Sequence, residues 1–404
     1  MIHYFPTPYP DEWWYSILCR YHIRSGNLVQ TTIKELFQGE EHAQIATTFP
    51  NRTIYRIHQQ LPKGVLNLDD LILNHTIFNY LLRIRPYEKK KEILNILKSG
   101  NEPPTNTWKT IHPMKSSVKW CPVCIEEDTK TYGESYWHIS HQIPMATICT
   151  KHRCRLNTYI PSYRTGLQAS FIKERELKEN SQMSIDNRIS EEEIQLNLLL
   201  ESYLKEPMSV SPPKEHNNLI IGLANAGYCK LQMGSATSIS AAQLYDDLID
   251  YYGKEFVQTY FGNKIDSYIL NRMNSWKMIS PERYVILGSF INQPISETFS
   301  HIKIKNLLHE KVKALEKYGE LYTRKEIAEQ IGINPLQLSE VVEELQIDPF
   351  WYNERVEKKR PFSIKTHFTK DEIDLIDKEM KKIGMIKNRA AFVRYCIIKA
   401  ISDS

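Results

Sequence analysis

Three cysteines and one histidine form two short pairs near the middle of the chain. Two residues separate Cys121 from Cys124, 24 residues follow, and two residues again separate Cys149 from His152. Each pair presents two donors on one turn. Together the pairs close a tetrahedral shell of thiolates and imidazole, which is the shell that structural zinc prefers. The spacing therefore predicts a Zn²⁺ ion that stabilises folding.

Other donors near the two pairs leave alternatives open. Cys154 lies two residues beyond His152 and has the chemistry to replace one ligand. His138 and His141 lie between the pairs, and a helix would place them on one face, as a second ligand pair or as packing residues. A catalytic zinc would need an open coordination position and a base such as Glu134, so the closed structural site is favoured.

Composition and charge indicate a globular protein with no general affinity for polyanions. Of the 404 residues, 41% are hydrophobic and 25% are charged, which is enough to bury a core. The net charge of +4 excludes a basic coat, so any contact with nucleic acid must use local patches. Residues 1–10 lack the features of a signal sequence, and no apolar run is long enough to span a bilayer. We expect a cytoplasmic, nucleoid-associated protein without a disulfide scaffold or membrane partner.

Helical spacing of apolar residues predicts a mainly α, multi-domain fold. Changes in composition divide the chain into successive segments. These are an N-terminal helical domain (1–115), a zinc-binding module (116–163), a polar linker (164–190), a second helical domain (191–310), a helix-turn-helix (311–350), a charged hinge (351–361) and a terminal module (362–404).

Residues 323–345 match a helix-turn-helix. Thr323 and Glu326 are spaced as a capping box at the start of the first helix, and Pro335 starts the second helix at a position that tolerates proline. Polar side chains on the second helix can pair with base edges in the major groove of DNA. These are Asn334, Gln337 and Ser339. The alternative is a helical hairpin that only packs, and the acidic Glu340 makes this helix less attractive to phosphate.

The terminal module has the pattern strand, helix, turn, helix. Apolar and polar residues alternate over 362–368, as in a half-buried strand, and two helices follow. This segment resembles the ribbon-helix-helix folds of the Arc/MetJ/CopG type, which pair strands from two chains and lay them in the major groove. The resemblance implies a homodimer in which Ser363, Lys365 and His367 face DNA. The alternative is a helical tail that packs on the rest of the chain.

Three strings of the sequence resemble the TniQ/TnsD family of transposon target-site selectors. They are the Pro- and Trp-rich run 5–27, the run 121–128, and the run 132–144 that leads into Cys149. The resemblance is specific over residues 1–160 and weaker over 190–310. Met145 stands where the family usually has glycine, and Tyr284 stands where relatives have histidine.

The family resemblance implies both partners and a cofactor. A structural Zn²⁺ would be held by Cys121, Cys124, Cys149 and His152. The partners would be double-stranded DNA at the target site, an AAA+ ATPase regulator and, indirectly, the transposase subunits. Some members bind a fixed attachment site, whereas others are adaptors on an RNA-guided CRISPR effector. The two C-terminal modules favour the first role, because direct reading of DNA requires base-contacting elements.

Enzymatic functions fit the sequence less well. Asp246, Asp247 and Asp250 offer carboxylates for a nuclease or transposase, but their helix is amphipathic and a two-metal site needs carboxylates spaced across a sheet. Residues 222–227 have the glycine spacing of a phosphate loop, but the required Lys and Ser/Thr are absent. We expect no catalytic residues.

Overall fold

The computed structural model confirms a mainly helical chain. It describes residues 2, 4–38, 49–104, 107–108, 118–159, 181–182, 188–213, 217–228, 230–232, 235–237, 240–265, 273, 276, 280–300, 304–316, 322–331, 333–351, 367–383 and 389–402. Within these ranges no helix has both the length and the apolar character needed to cross a lipid bilayer. The chain forms two compact units. Unit 1 comprises Met1–Leu219 and Leu244–Ser300, and unit 2 comprises Ile220–Gln243 and His301–Ser404.

Unit 1 begins with short helices around an aromatic core. They are α1 (Trp14–Ser25), α2 (Val29–Phe37), α3 (Arg52–His58), α4 (Leu68–Asn74), α5 (Phe78–Leu82) and α6 (Tyr87–Lys98). Phe5 stacks on both Trp14 and Tyr21 of α1, with ring centroids 6.0 and 5.5 Å away. Gly26 ends α1 with a left-handed φ of 65°, a conformation that costs glycine little.

Small antiparallel sheets and one helix follow in the metal-ligand region. They are β1 (Val118–Trp120), α7 (Pro122–Tyr132), β2 (Ile148–Cys149), β3 (Cys154–Arg155), β4 (Asn157–Tyr159) and β5 (Ser181–Gln182). Strand β4 pairs with β1 on one side and with β5 on the other. Strands β2 and β3 form a separate hairpin in which Cys149 lies opposite Cys154.

The rest of unit 1 is built around two helices that pack on each other, α8 (Glu191–Lys205) and α12 (Glu282–Phe290). The other elements are α11 (Lys254–Phe261) and α13 (Ile295–Thr298). Helices α9 (Asn218–Asn225) and α10 (Ala241–Tyr252) contain the points where the chain passes between the units. Helix α8 packs against α12, α5 and α13. Because α8 contacts elements from both sides of residues 160–187, it joins the N-terminal helices to the later part of unit 1.

Two buried basic side chains donate to carbonyl oxygens at and just beyond the carboxyl end of α8. Arg83 donates to the carbonyl oxygens of Tyr203, Pro207 and Val210 at 2.9 Å each, and Lys90 donates to that of Val210 at 2.8 Å. The last carbonyls of a helix have no intrahelical partner, and cations at this end also favour the helix dipole. Residues before the metal-ligand region thus fix a helix that follows it.

Unit 2 contains a second β-hairpin and the helices of the C-terminal part of the chain. They are β6 (Lys230–Gln232), β7 (Ser235–Thr237), α14 (Ile304–Glu316), α15 (Arg324–Ile331), α16 (Pro335–Glu344), α17 (Lys370–Ile383) and α18 (Arg389–Ser402). Helices α14, α15 and α16 pack together, and α17 packs on α18.

The capping box predicted for the first helix of the helix-turn-helix is confirmed. The Glu326 N–H donates to the Thr323 hydroxyl at 3.2 Å, and the Thr323 N–H donates to the Glu326 carboxylate at 2.8 Å.

Candidate metal centre

The first pair of donors sits where β1 passes into α7. Cys121 is the N-cap residue of α7 and Pro122 is its first helical residue, so the chain turns sharply between the two cysteines. The backbone N–H of Cys124 donates to the Cys121 sulfur at 3.4 Å. This turn places both sulfurs on the same side of the N-terminus of α7.

The second pair of donors sits on the β2–β3 hairpin. Cys149 ends β2 and His152 lies in the turn that follows. The turn is closed by a hydrogen bond from the Arg153 N–H to the Cys149 carbonyl at 2.8 Å, and Arg153 adopts a left-handed φ of 48°. The hairpin therefore presents a sulfur and an imidazole within four residues, as the sequence spacing requires.

The structure brings the four predicted ligands together. The ligand atoms of Cys121, Cys124, Cys149 and His152 all lie within 4.8 Å of one another, and the three cysteines are buried. His152 Nδ1 lies 3.4, 3.3 and 3.6 Å from the sulfurs of Cys121, Cys124 and Cys149. The Cys124 and Cys149 sulfurs are 3.8 Å apart.

These distances fit a tetrahedral metal shell. Bonds of about 2.3 Å to sulfur and about 2.0 Å to nitrogen give tetrahedral edges of roughly 3.5–3.8 Å. A buried donor set of three thiolates and one imidazole suits zinc, which would occupy the centre of these four atoms. The same residues then form a closed shell, and a closed shell stabilises the fold and does not activate water.

Cys121 is the clustered sulfur that is held as a thiolate, and its hydrogen bonds raise the pKa values of the Cys124, Cys149 and Cys154 thiols. The thiols of Cys124, Cys149 and Cys154 converge on Cys121 and hold the pKa of its thiol well below the ordinary value. A sulfur that is already a thiolate is the form that coordinates a metal.

A carboxylate of α7 orients the histidine ligand. Nε2 of His152 lies 3.1 Å from the Glu127 carboxylate, outside regular hydrogen-bond geometry. A partner on the outer nitrogen keeps the proton on Nε2 and leaves Nδ1 as the ligand atom. Glu127 is three residues after Cys124, so one turn of α7 supplies both a ligand and the group that orients another ligand.

His138 is a structural cation and is not one of the clustered ligands. Its Nδ1 lies 3.3 Å from the Asp11 carboxylate and its Nε2 lies 2.9 Å from that of Asp128. Burial lowers the pKa of His138, but hydrogen bonds to these two carboxylates and their charges outweigh it and raise the pKa to about 9. Asp11 also accepts a hydrogen bond from Ser140 at 2.5 Å. The charged imidazole thus ties the N-terminal segment to α7.

His141 lies beside the metal-ligand cluster but outside it. Its Nε2 is 4.0 Å from the Cys124 sulfur, and the side chain is buried. Burial lowers the pKa of His141 to about 3, so the imidazole is neutral. The rings of His138 and His141 contact each other, with centroids 4.9 Å apart, but both nitrogens of His138 face carboxylates, so the structure favours a packing role for the two residues.

Helix α8 holds the hairpin from outside. The buried Asn197 accepts hydrogen bonds from the backbone N–H groups of Thr147 and Ile148, at 3.0 and 3.4 Å. Glu193, one turn earlier, accepts from the Thr147 hydroxyl and from Arg155, at 2.7 Å each. Sequence reasoning missed these contacts, since an Asn about fifty residues from the hairpin carries no local signal.

Comparison with known proteins identifies the region that contains this centre. Residues 3–156 match the TniQ protein family. We refer to this matched region as the TniQ domain. A stretch of 152 residues is also 20% identical to the transposon Tn7 transposition protein TnsD of Escherichia coli. That match covers 37% of this chain and 30% of TnsD, so the chain spans less than a third of this relative's length.

The TniQ domain contains all four clustered ligands, but it does not account for all of unit 1. Helix α8, which binds the metal hairpin through Asn197, begins after residue 156. The buried helix α12 also lies outside the matched region. The compact structural unit therefore extends beyond the TniQ domain.

The predicted DNA contacts on α16 lie outside the TniQ domain and already take part in local hydrogen bonds. Asn334 and Gln337 form a capping box, in which each side-chain oxygen accepts from the other residue's backbone N–H, at 2.9 and 3.4 Å. Ser339 donates to the Pro335 carbonyl at 3.4 Å and accepts from Arg324 at 3.3 Å. A bidentate amide contact with adenine needs the oxygen as well as the NH2 group, and the oxygens are used here.

The predicted contacts of the terminal module are only partly within the described residues. Ser363 and Lys365 lie outside them, together with most of the predicted strand 362–368. His367 is exposed and lies three residues before Lys370, where α17 begins. The two predicted helices are present as α17 and α18, and Arg389 binds Asp377 with two hydrogen bonds of 2.7 and 2.6 Å.

Proposed function

We propose that this chain is a non-catalytic selector of insertion sites for a transposon. In this proposal it binds double-stranded DNA in the cytoplasm and recruits an AAA+ ATPase regulator, through which the transposase subunits reach the site. The TniQ domain over residues 3–156 is the observation that carries the proposal, and the similarity to a Tn7 transposition protein supports it.

The metal centre has a structural part in this proposal. Its four donors fill a tetrahedron, so no coordination position remains for a substrate. The carboxylates considered for an enzyme support the same conclusion. Asp246 and Asp250 are exposed on α10, whose buried side is formed by Leu244 and Leu248.

In this proposal unit 2 contacts DNA through two helices. Helix α15 supplies positive charge, and α16 supplies a contact to a base. Helix α16 has no Lys or Arg, and its exposed Glu340 repels phosphate. The exposed Arg324 and Lys325 at the start of α15 provide the positive charge, and Arg324 reaches across to Ser339. We assign Arg324 to a phosphate contact and the NH2 group of Gln337 to a base edge, because the capping box leaves that group as the donor.

The terminal module supports a homodimer. Leu375 of α17 and Ile397 of α18 are 60% and 50% exposed, and Phe368 just before α17 is 41% exposed. Large apolar side chains on a small helix pair are normally covered. A second copy that pairs through the 362–368 segment would cover them and bring two sets of DNA-contacting residues together.

Nuclease footprinting of the purified, zinc-loaded chain on DNA flanking the element tests this function. A discrete footprint without guide RNA supports direct site selection. Binding only in the presence of an RNA-guided CRISPR effector would instead assign the chain to the adaptor role. Metal-dependent cleavage of DNA by the pure chain would contradict the non-catalytic assignment.

A further inference from the structure

A fifth sulfur lies beside the four clustered ligands. The Cys154 sulfur lies 3.3 Å from the Cys121 sulfur, within the range of the distances that join the four clustered ligands. Cys154 lies directly opposite Cys149 in the β2–β3 hairpin. Side chains that oppose each other in an antiparallel pair project from the same face, so both thiols of the hairpin point toward Cys121.

His152 is the donor that Cys154 is best placed to replace. The three clustered cysteines are buried, whereas His152 is half-buried and lies in the turn between the two hairpin strands. His152 Nδ1 is 3.4 Å from the Cys121 sulfur, so it approaches Cys121 as closely as Cys154 does. Both donors come from the same hairpin, and an exchange between them needs no new backbone element.

We propose that Cys154 is a reserve ligand that takes the fourth coordination position when His152 leaves it. The centre then has two closed shells, one of three cysteines and a histidine and one of four cysteines, both of which structural zinc accepts. The exchange breaks a metal–nitrogen bond, forms a metal–sulfur bond, and transfers the thiol proton to water or to the released imidazole. No electron is transferred.

Cobalt(II) substitution of the full-length chain tests this exchange, because sulfur-to-cobalt charge-transfer absorption grows with the number of bound thiolates. The proteins compared are the wild type, His152→Ala, Cys154→Ser, the double variant His152→Ala/Cys154→Ser, and Cys396→Ser. Cys396 is exposed on α18 and serves as the matched cysteine control. Zinc content by mass spectrometry and resistance to a chelator are measured alongside.

The wild type, Cys154→Ser and Cys396→Ser are expected to bind one cobalt ion with identical spectra. His152→Ala should retain one ion and gain charge-transfer intensity, as a fourth thiolate enters. The double variant should lose metal to chelator more readily than His152→Ala, by at least the roughly 10–100-fold that outer-shell changes alone produce. Iodoacetamide should alkylate Cys154 in the metal-loaded wild type but not in His152→Ala.

Loss of metal from His152→Ala to the same extent as from the double variant would overturn the proposal. His152→Ser provides a second substitution in case alanine disturbs the turn, and failure of both to hold metal is decisive. A wild-type spectrum that changes on Cys154→Ser would also overturn it, since Cys154 would then already be a resident ligand. None of these outcomes depends on the proposed function in transposition.

Discussion

Asn197 of α8 accepts a hydrogen bond of 3.0 Å from the backbone N–H of Thr147, two residues before the cysteine that ends β2. Its amide group also donates to the Thr147 hydroxyl at 3.2 Å and to the Glu193 carbonyl at 2.8 Å. Asn197 is 2% exposed, so these hydrogen bonds are made away from water. The metal hairpin is therefore held by a residue that lies outside the TniQ domain.

Asn197→Ala should destabilise unit 1 without removing the metal. The substitution removes the acceptor of the Thr147 N–H and leaves the buried N–H of Ile148 without a partner, which costs about 1–3 kcal/mol. The free energy of unfolding from urea titration measures this loss, and zinc content should stay at one ion per chain. Asn95→Ala, at an exposed position of α6, is the matched control. Equal stability of the two variants would contradict the role of Asn197.

Cys121→Ser should remove the metal and unfold the region between β1 and β4. The assigned set drops to three donors, and a Cys121→Ser/Cys154→Ser double variant excludes replacement by the Cys154 thiol, which lies 3.3 Å from the Cys121 sulfur. Binding of metal supplies part of the folding free energy of such a region. Zinc analysis and limited proteolysis report the change, with new cleavage expected within residues 118–159. A Cys121→Ser/Cys154→Ser chain that keeps one zinc and resists protease like the wild type would be inconsistent with the assigned shell.

The His138 ion pairs should make stability depend on pH. An unfolded histidine has a pKa near 6.5, whereas the folded value is about 9. The folded state therefore holds this proton more tightly, so the stabilisation is complete below about pH 6.5 and is lost as the pH rises through about 9. The difference corresponds to roughly 3 kcal/mol.

Urea unfolding of the wild type and of His138→Gln, repeated from pH 6.5 to 9.5, measures this dependence. The gap in unfolding free energy between the two proteins should shrink as the pH rises. A gap that stays constant over this range would show that His138 is neutral in the folded chain. Nuclear magnetic resonance titration of the His138 ring, with an expected midpoint near 9, provides an independent reading.

The metal ligands were predictable because their signal is local. Each pair of donors lies on one turn, and a separation of two residues directs both side chains to one side. The same holds for the capping box of Thr323 and Glu326, whose two members are three positions apart in the sequence and which forms as predicted. Helical periodicity likewise identified α10 and the exposure of Asp246 and Asp250.

The contacts that assemble unit 1 were not predictable, because they join residues distant in sequence. Arg83 binds carbonyl oxygens more than 100 residues later, and an arginine on a short helix carries no sign of such a partner. The prediction that Gln337 contacts a base edge stays a prediction, and the structure adds a local role for its side chain in the capping box. The same polar residues that suit base contacts also suit helix caps, and the structure uses their oxygens for the cap.

Arg324→Ala should weaken binding to all duplexes alike. A phosphate contact carries no sequence information, so the loss should be uniform across sequences and the salt dependence of affinity should fall by about one counterion. Lys365→Ala is expected to behave in the same direction while leaving the homodimer intact. Fluorescence anisotropy at several salt concentrations measures both. Unchanged affinity and salt dependence for Arg324→Ala would remove α15 from the DNA surface.

Gln337→Glu should weaken binding to the target site more than to random duplexes, because the added negative charge repels phosphate on both but the lost NH2 donor matters only on the target. Glutamate keeps the side-chain oxygen that accepts from the Asn334 N–H in the capping box but lacks the NH2 donor. The expected loss is about 1–3 kcal/mol on the target duplex, and the stability of α16 should be preserved. Gln337→Ala, which also breaks the box, serves as the comparison. An equal loss on random duplexes would show that Gln337 does not read a base.

The position of transposon insertions in cells tests the central proposal most directly. A complete element is introduced with the wild-type chain, with the Cys121→Ser chain or without the chain, and insertion junctions are sequenced across the chromosome. We expect insertions to concentrate at one defined site with the wild type, and this concentration to disappear in the other two cases. The same distribution of insertions in all three would contradict the assignment of this chain as the selector of the site.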